Sequence, residues 1–160
     1  MRGHDEDQDT RPTGAGALRS FCRLSAVNII LSGIFYLIGT VAFIGIAQVP
    51  YDEFNAVMQA RLTAIGGADE VPGMEALVQL MYDRGAWLML ILLVRTIVRG
   101  LGVLLMWRWR AAGFSVYAFA QIAGIFAPHL VLPWAYLGIF GPVAAIGMTA
   151  LYGTQRQWLR

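Results

Sequence analysis

Forty-five consecutive residues, Ala111 to Gln155, carry no Asp, Glu, Lys or Arg. A helix of about 20 apolar residues crosses a hydrocarbon core of about 30 Å, so this block alone has the length of two membrane spans. A chain of 160 residues cannot hide such a block in a water-soluble core, because a small domain keeps much of its surface in solvent. The rest of the composition agrees. The chain is 58% hydrophobic and 14% charged, where soluble domains are about half apolar and about a quarter charged. All ten acidic residues lie before Arg84. The solvent that such a chain requires is lipid.

Leu24 to Tyr51 is also free of charge and supplies a first span over about 24–48. It follows Arg19 and Arg23, as a signal peptide would, but its apolar run exceeds the ~7–15 residues of a cleavable segment, so it reads as a retained anchor. A second span over 86–107 ends in Trp107-Arg108-Trp109-Arg110, aromatic rings beside arginines being the mark of a helix leaving lipid. Pro128 and Pro133 bracket a tight turn within the long uncharged block. They divide it into a third span over 113–130 and a fourth over 133–152. The expected fold is all-α: an integral membrane bundle of four transmembrane helices, with an extramembrane amphipathic helical hairpin (49–85) between helices 1 and 2. Residues 1–23 mix both charges with Pro12, Gly14 and Gly16 and read as a disordered cytoplasmic tail, leaving 24–160 as the membrane domain. No internal repeat is apparent.

Arginine counting orients the spans. With the N-terminus inside, the cytoplasmic segments hold Arg2, Arg11, Arg19, Arg23, Arg108, Arg110, Arg156 and Arg160, while the outer loop holds Arg61 and Arg84 with six acids. The positive-inside rule then places both termini in the cytoplasm and the chain in a cell inner (cytoplasmic) membrane. In the outer loop, Phe54, Val57, Met58, Leu62 and Ile65 recur at helical spacing between Pro50 and Gly66-Gly67. Met74, Leu77, Val78 and Met81 form a second apolar stripe that leads into the second span. Such helices cap a bundle or lie on the lipid surface; a lid or partner-docking surface is the alternative.

Arg95 and Arg99 are the strongest functional signal. Four residues apart, they share one helix face. Arg95 lies roughly 13 Å from Ala86, and Arg99 roughly 12 Å from Trp107, at 1.5 Å per residue. Both fall near the membrane midplane, where an arginine costs about 2.5–3.5 kcal/mol on the insertion scale. None of the four spans contains a carboxylate. Neutral partners are available: Asn28, Ser32, Tyr36 and Thr40 at successive i+4 steps in the first span, and Tyr117 and Gln121 in the third. Amides, hydroxyls and tyrosine rings can receive guanidinium donors, but they do not neutralise two charges. The counter-charge must come from water, a lipid phosphate, an anionic ligand or another subunit.

Other features read as packing or boundary chemistry. Ala120, Gly124 and Pro128, and likewise Gly141, Ala145 and Thr149, follow small-xxx-small spacing suited to close intrachain helix contact. Gly138 and Pro142 are expected to kink the fourth helix. His129, beside Pro128, reads as a solvated interfacial residue without a second metal ligand. Trp87, Trp107, Trp109, Trp134 and Trp158 form an aromatic belt.

Absences narrow the function further. A net charge of +2 makes no argument for nucleic acid. There is no Gly-rich phosphate loop, GxSxG or HExxH, and neither a cofactor nor a metal is implied. Cys22 is the only cysteine, which excludes chemistry like that of the four-helix vitamin K epoxide reductases. The first span lacks the membrane-embedded glutamate on which small multidrug transporters rely. The strong charge bias departs from the dual topology of small fluoride channels. A lipid-modifying enzyme would need an intramembrane carboxylate, Cys or His base. The reading that remains is a non-enzymatic accessory or structural subunit of a larger bacterial-type inner-membrane complex. Its arginine pair would contact a partner carboxylate or an anionic lipid. Its partners would be the bilayer and other subunits or further copies of itself. The alternative is a small transporter or channel for an anionic solute.

Overall fold

Leu18, Phe21, Cys22 and Ser25 fall at i, i+3, i+4 and i+7, one face of a helix, and that face starts the protein. In the computed structural model, which describes residues 14–64, 73–133, 138–154 and 156, the first helix α1 spans Gly14–Ile46. Then come α2 (Tyr51–Ala64), α3 (Met74–Trp107), α4 (Ala112–Phe126) with a tight helical turn at Ala127–Leu130, and α5 (Phe140–Thr154). No strand occurs among the described residues. The protein is all-α, and two of its helices, α1 and α3, are long and apolar enough to cross a membrane. Neither is mostly buried: none of the most apolar stretch of α1 is, and 22% of that of α3. Leu24, Leu31, Phe35, Ile38 and Val41 on α1, and Val94, Ile97 and Leu101 on α3, face outward.

The helices pack as an antiparallel series, α1 on α3, α3 on α4 and α4 on α5. Along α1 and α3, Ile29 meets Gly100, Gly33 meets Thr96, Gly39 meets Met89, and the Phe43 ring lies over Gly85. The α3–α4 crossing is tighter. A Cβ on Gly102 would stand 2.7 Å from the Tyr117 backbone nitrogen, and one on Gly113 would stand 2.8 Å from the Gly102 carbonyl oxygen. Only glycine permits backbones to approach so closely. Beneath this crossing lies the most deeply buried cluster: Leu18 and Cys22 of α1, Val103 and Met106 of α3, Tyr117 of α4 and Tyr152 of α5.

The turn between α3 and α4 is closed by a Schellman motif. Trp109 N–H donates to the Met106 carbonyl at 2.9 Å and Arg110 N–H to the Leu105 carbonyl at 3.0 Å, satisfying two carbonyls that the helix end orphans. Trp109 sits at the left-handed position with φ 61°, where glycine is usual and another residue carries a cost of roughly 1–2 kcal/mol. Its ring compensates by packing against the buried cluster, with the Arg19 guanidinium 5.6 Å from the ring centroid.

Four sequence expectations need correction. Residues 14–23 are not a disordered tail but the first turns of α1; Arg19 and Arg23 point outward, while Leu18 and Cys22 are fully buried. The second arm of the outer hairpin is not a separate helix, because α3 runs unbroken from Met74 through Gly85 to Trp107. Its first turns hold α2 in place through Tyr82, whose hydroxyl donates to the Val49 carbonyl at 2.7 Å and whose ring meets those of Tyr51 and Phe54. Gly138 precedes α5, and Pro142 lies in its first turn, where a missing N–H costs no hydrogen bond, so the expected kink is not built there. Finally, His129 is half-buried in the turn after α4. The expectations for residues 1–13, Ile65, Gly66-Gly67, Trp134 and Trp158 lie outside the described residues.

The packing makes a sharp distinction among glycines. Gly102→Val should destabilise the protein by about 1–3 kcal/mol through overpacking, read as a lowered thermal midpoint in detergent. Gly45→Ala, where a Cβ meets nothing within 4 Å, should leave the midpoint unchanged or slightly raised.

Candidate functional site

Arg95 and Arg99 occupy successive turns of α3, and the antiparallel register decides what each meets. Arg99 is level with the middle of α1, and its Nη2 donates to Asn28 Oδ1 at 2.7 Å. Arg95 lies one turn farther from the α3–α4 turn and reaches α4, where its Nη2 donates to Gln121 Oε1 at 2.9 Å. Gln121 is itself buried and passes the chain on, its Nε2 donating to the Tyr117 hydroxyl at 3.0 Å. Beside this relay, the buried Tyr152 hydroxyl donates to Ser25 Oγ at 2.7 Å, and the Tyr117 and Tyr152 rings stack obliquely with centroids 4.6 Å apart.

All of these groups except Tyr152 line one cleft of about 450 Å³. Its floor is Ser25, Asn28, Arg95, Arg99, Tyr117 and Gln121; its walls are Leu24 of α1 and Ala144, Ala145 and Met148 of α5. The comparisons with known protein families, curated proteins and solved structures find no match. The site must therefore be read from its own chemistry.

Two features define that chemistry. The first is charge: α1, α4 and α5 contain no acidic residue, and the two acids of α3, Glu75 and Asp83, lie in its first turns, so among the described residues no carboxylate lines the cleft with the two guanidinium groups. The second is hydrogen bonding. Arg95 Nε and Arg99 Nε are both buried and have no acceptor among the described residues. A buried donor without a partner costs about 1–3 kcal/mol, and native structures rarely leave one without a reason. The floor can therefore accept a group rich in oxygen lone pairs. It contains no carboxylate, thiol or imidazole to act as a base.

The position of Arg95 depends on a missing side chain. A Cβ at Gly124 would overlap Arg95 Nε, Cδ and Cζ, so the bare α4 backbone at Gly124 is the bed on which the guanidinium lies. The small-residue stripe Ala120, Gly124, Pro128 is thus partly a seat for a cation rather than solely a helix–helix seam.

The expected supporting residues separate into two groups. Asn28, Tyr117 and Gln121 join the site. Ser32 and Tyr36 are half-buried and bond neither arginine among the described residues, while Thr40 donates to the Tyr36 carbonyl of its own helix at 2.7 Å. Ser25, Tyr152 and Gly124 were not singled out for this role. Ser25 had a visible signal, lying three residues before Asn28 and so on the same face.

Replacing Gln121 by Leu removes the acceptor of Arg95 and the donor to Tyr117 together. The expected loss is about 1–3 kcal/mol in stability, measured as the unfolding midpoint of the purified protein. Ser32→Ala, which breaks no such bond, should change stability by less than about 0.5 kcal/mol.

Proposed function

We propose that this chain is a small multi-pass membrane protein without catalytic activity, an accessory subunit of a larger inner-membrane assembly. In this reading Arg95 and Arg99 hold an anionic group inside the bilayer. The observation that carries it is the pair of guanidinium groups in one cleft, with buried Nε–H donors that lack acceptors, and no carboxylate in the lining, among the described residues. A buried cation is stable only when paired and hydrogen-bonded. Asn28 and Gln121 meet the second requirement and leave the first to a bound partner.

The membrane reading draws on the outward-facing apolar side chains of α1, α3, α4 and α5. Four crossings follow if α4 and its terminal turn, 19 residues from Ala112 to Leu130, make the third and α5 with the preceding segment the fourth. Arg19, Arg23, Arg108, Arg110 and Arg156 are all exposed at one end of the bundle, which supports a cytoplasmic location for that end. A contact with a partner's carboxylate requires a partner segment to enter between α1 and α5. An anionic lipid needs only its headgroup to do so. Passage of an anion through the protein is disfavoured by the layer of Leu18, Cys22, Met106, Tyr117 and Tyr152, which closes that end of the interior.

The test is affinity purification of the full chain from its native membrane in mild detergent, with mass spectrometry of what co-elutes. Arg95→Leu combined with Arg99→Leu should leave insertion intact and lower the co-eluting protein or anionic lipid by about tenfold or more, the equivalent of one charged hydrogen bond. Unchanged co-elution would remove the arginine pair from the function.

A further inference from the structure

We infer that the group held by Arg95 and Arg99 is a phosphate monoester carried by a lipid, which enters the cleft sideways between α1 and α5. The inference rests on the anion-holding reading above and adds the ligand's charge, its headgroup chemistry and its route.

The route follows from the packing. The helix contacts run in series from α1 to α5, and α1 and α5 scarcely touch each other. Their one described hydrogen bond, Tyr152 to Ser25, lies at the end of the cleft. Above it the walls are apolar on both sides, Leu24 on α1 and Ala144 and Met148 on α5. Leu24 is exposed, as are Val27 and Leu31 on the same helix. A polar floor behind an apolar, laterally open mouth suits an amphiphile whose chains remain outside in the bilayer. It does not suit a free ion arriving from water.

Depth points the same way. On α1, Asn28 is five residues from exposed Arg23, roughly 7–8 Å along the helix axis. Ser25 and Asn28 thus lie within about two turns of that end of the bundle, while Arg99 and Arg95 stand nine and 13 residues from exposed Arg108, roughly 13 and 20 Å along α3. The five exposed arginines at that end concentrate anionic headgroups at the surface. A lipid phosphate entering from that end meets Ser25 and Asn28 first and the Arg99 guanidinium bonded to Asn28 next, without crossing the bilayer.

Charge and donor count select the headgroup. Two guanidinium groups present two positive charges. A phosphate monoester carries about −1.5 to −2 at neutral pH and has three strong acceptor oxygens; a phosphodiester carries one charge and two such oxygens. The donors that line the cleft are the guanidinium groups of Arg95 and Arg99, the amide of Asn28 and the hydroxyl of Ser25. Guanidinium pairs well with phosphate oxygens. The hydroxyls of the floor, Ser25 and Tyr117, have no carboxylate, thiol or imidazole beside them in the lining, so the monoester is assigned a bound role without turnover.

The experiment measures ligand binding to the purified full chain in neutral detergent, by native mass spectrometry and by shift of the thermal midpoint. The probes are phosphatidate, phosphatidylglycerol, phosphatidylcholine and inorganic phosphate. Phosphatidate should bind at least about tenfold more tightly than phosphatidylglycerol, and its advantage should shrink as pH falls through about 6, where the monoester loses its second charge. Arg95→Gln and Arg99→Gln should each weaken phosphatidate about tenfold or more. Gly141→Leu tests the same point without touching an arginine. A Cβ there meets nothing within 4 Å and Gly141 lines the cleft, so the larger side chain should block the mouth while the ligand-free protein stays folded.

Equal binding of phosphatidylglycerol overturns the monoester assignment. Inorganic phosphate binding as tightly as phosphatidate overturns the lipid origin and leaves an anion cleft. Binding of phosphatidate that survives Gly141→Leu overturns the lateral route. If no anionic probe binds, the anion-holding reading falls with the inference.

Discussion

Two cations held together without an anion beside them among the described residues are the constraint around which this protein is arranged. The cost of removing a guanidinium from water is several kcal/mol even after local relaxation, and two of them one helical turn apart also repel each other. Hydrogen bonding reduces that cost without abolishing it. Asn28 comes to Arg99 from α1, and Gln121 comes to Arg95 from α4, so each cation is tied to a different neighbouring helix. Gly124 withholds a side chain where Arg95 must lie. The remaining imbalance, one buried Nε–H on each arginine without an acceptor among the described residues and two unit charges, is the ground on which we propose that the cleft holds an anion.

The rest of the architecture serves to place that pair. The close α3–α4 crossing at Gly102 and Gly113 fixes the register that sets Arg95 against Gln121 and Gly124, and the α1–α3 contacts from Gly85 to Gly100 set Asn28 against Arg99. The buried layer of Leu18, Cys22, Met106, Tyr117 and Tyr152 closes one end. Its two tyrosines carry their hydroxyls to Gln121 and Ser25, joining core packing to the polar floor. Polarity is thereby inverted relative to a soluble bundle: Ser25, Thr40, Thr96 and Gln121 are inside while long aliphatic side chains face out.

Much of this was legible from residue spacing. The four-residue step from Arg95 to Arg99, and that from Tyr117 to Gln121, follow directly from helix geometry, and the lack of acids in the spans needs only counting. The fan on α1 was less informative because level matters as well as face. Each four-residue step turns about 40° past a full circle, and Thr40 is level with Met89, beside which Gly39 packs, well beyond Arg95. Composition also concealed the true start of α1. Arg19 and Arg23 make the region look like a charged tail, yet both project outward from a helix whose opposite face is core. The seat at Gly124 was invisible for a different reason: a glycine in a small-residue stripe serves a helix backbone or a side chain equally well, and only the register decides which.

The central claim concerns where the two guanidinium groups are when the protein is in a bilayer. Solid-state NMR of the full chain in phospholipid membranes, with labelled arginine, asparagine and glutamine, addresses it directly. Through-space transfer should connect the Arg99 guanidinium to the Asn28 side-chain carbonyl and the Arg95 guanidinium to that of Gln121, with slow exchange of both Nε protons with water. Fast exchange at both Nε sites, with neither contact present, would place the pair in bulk solvent and contradict the account.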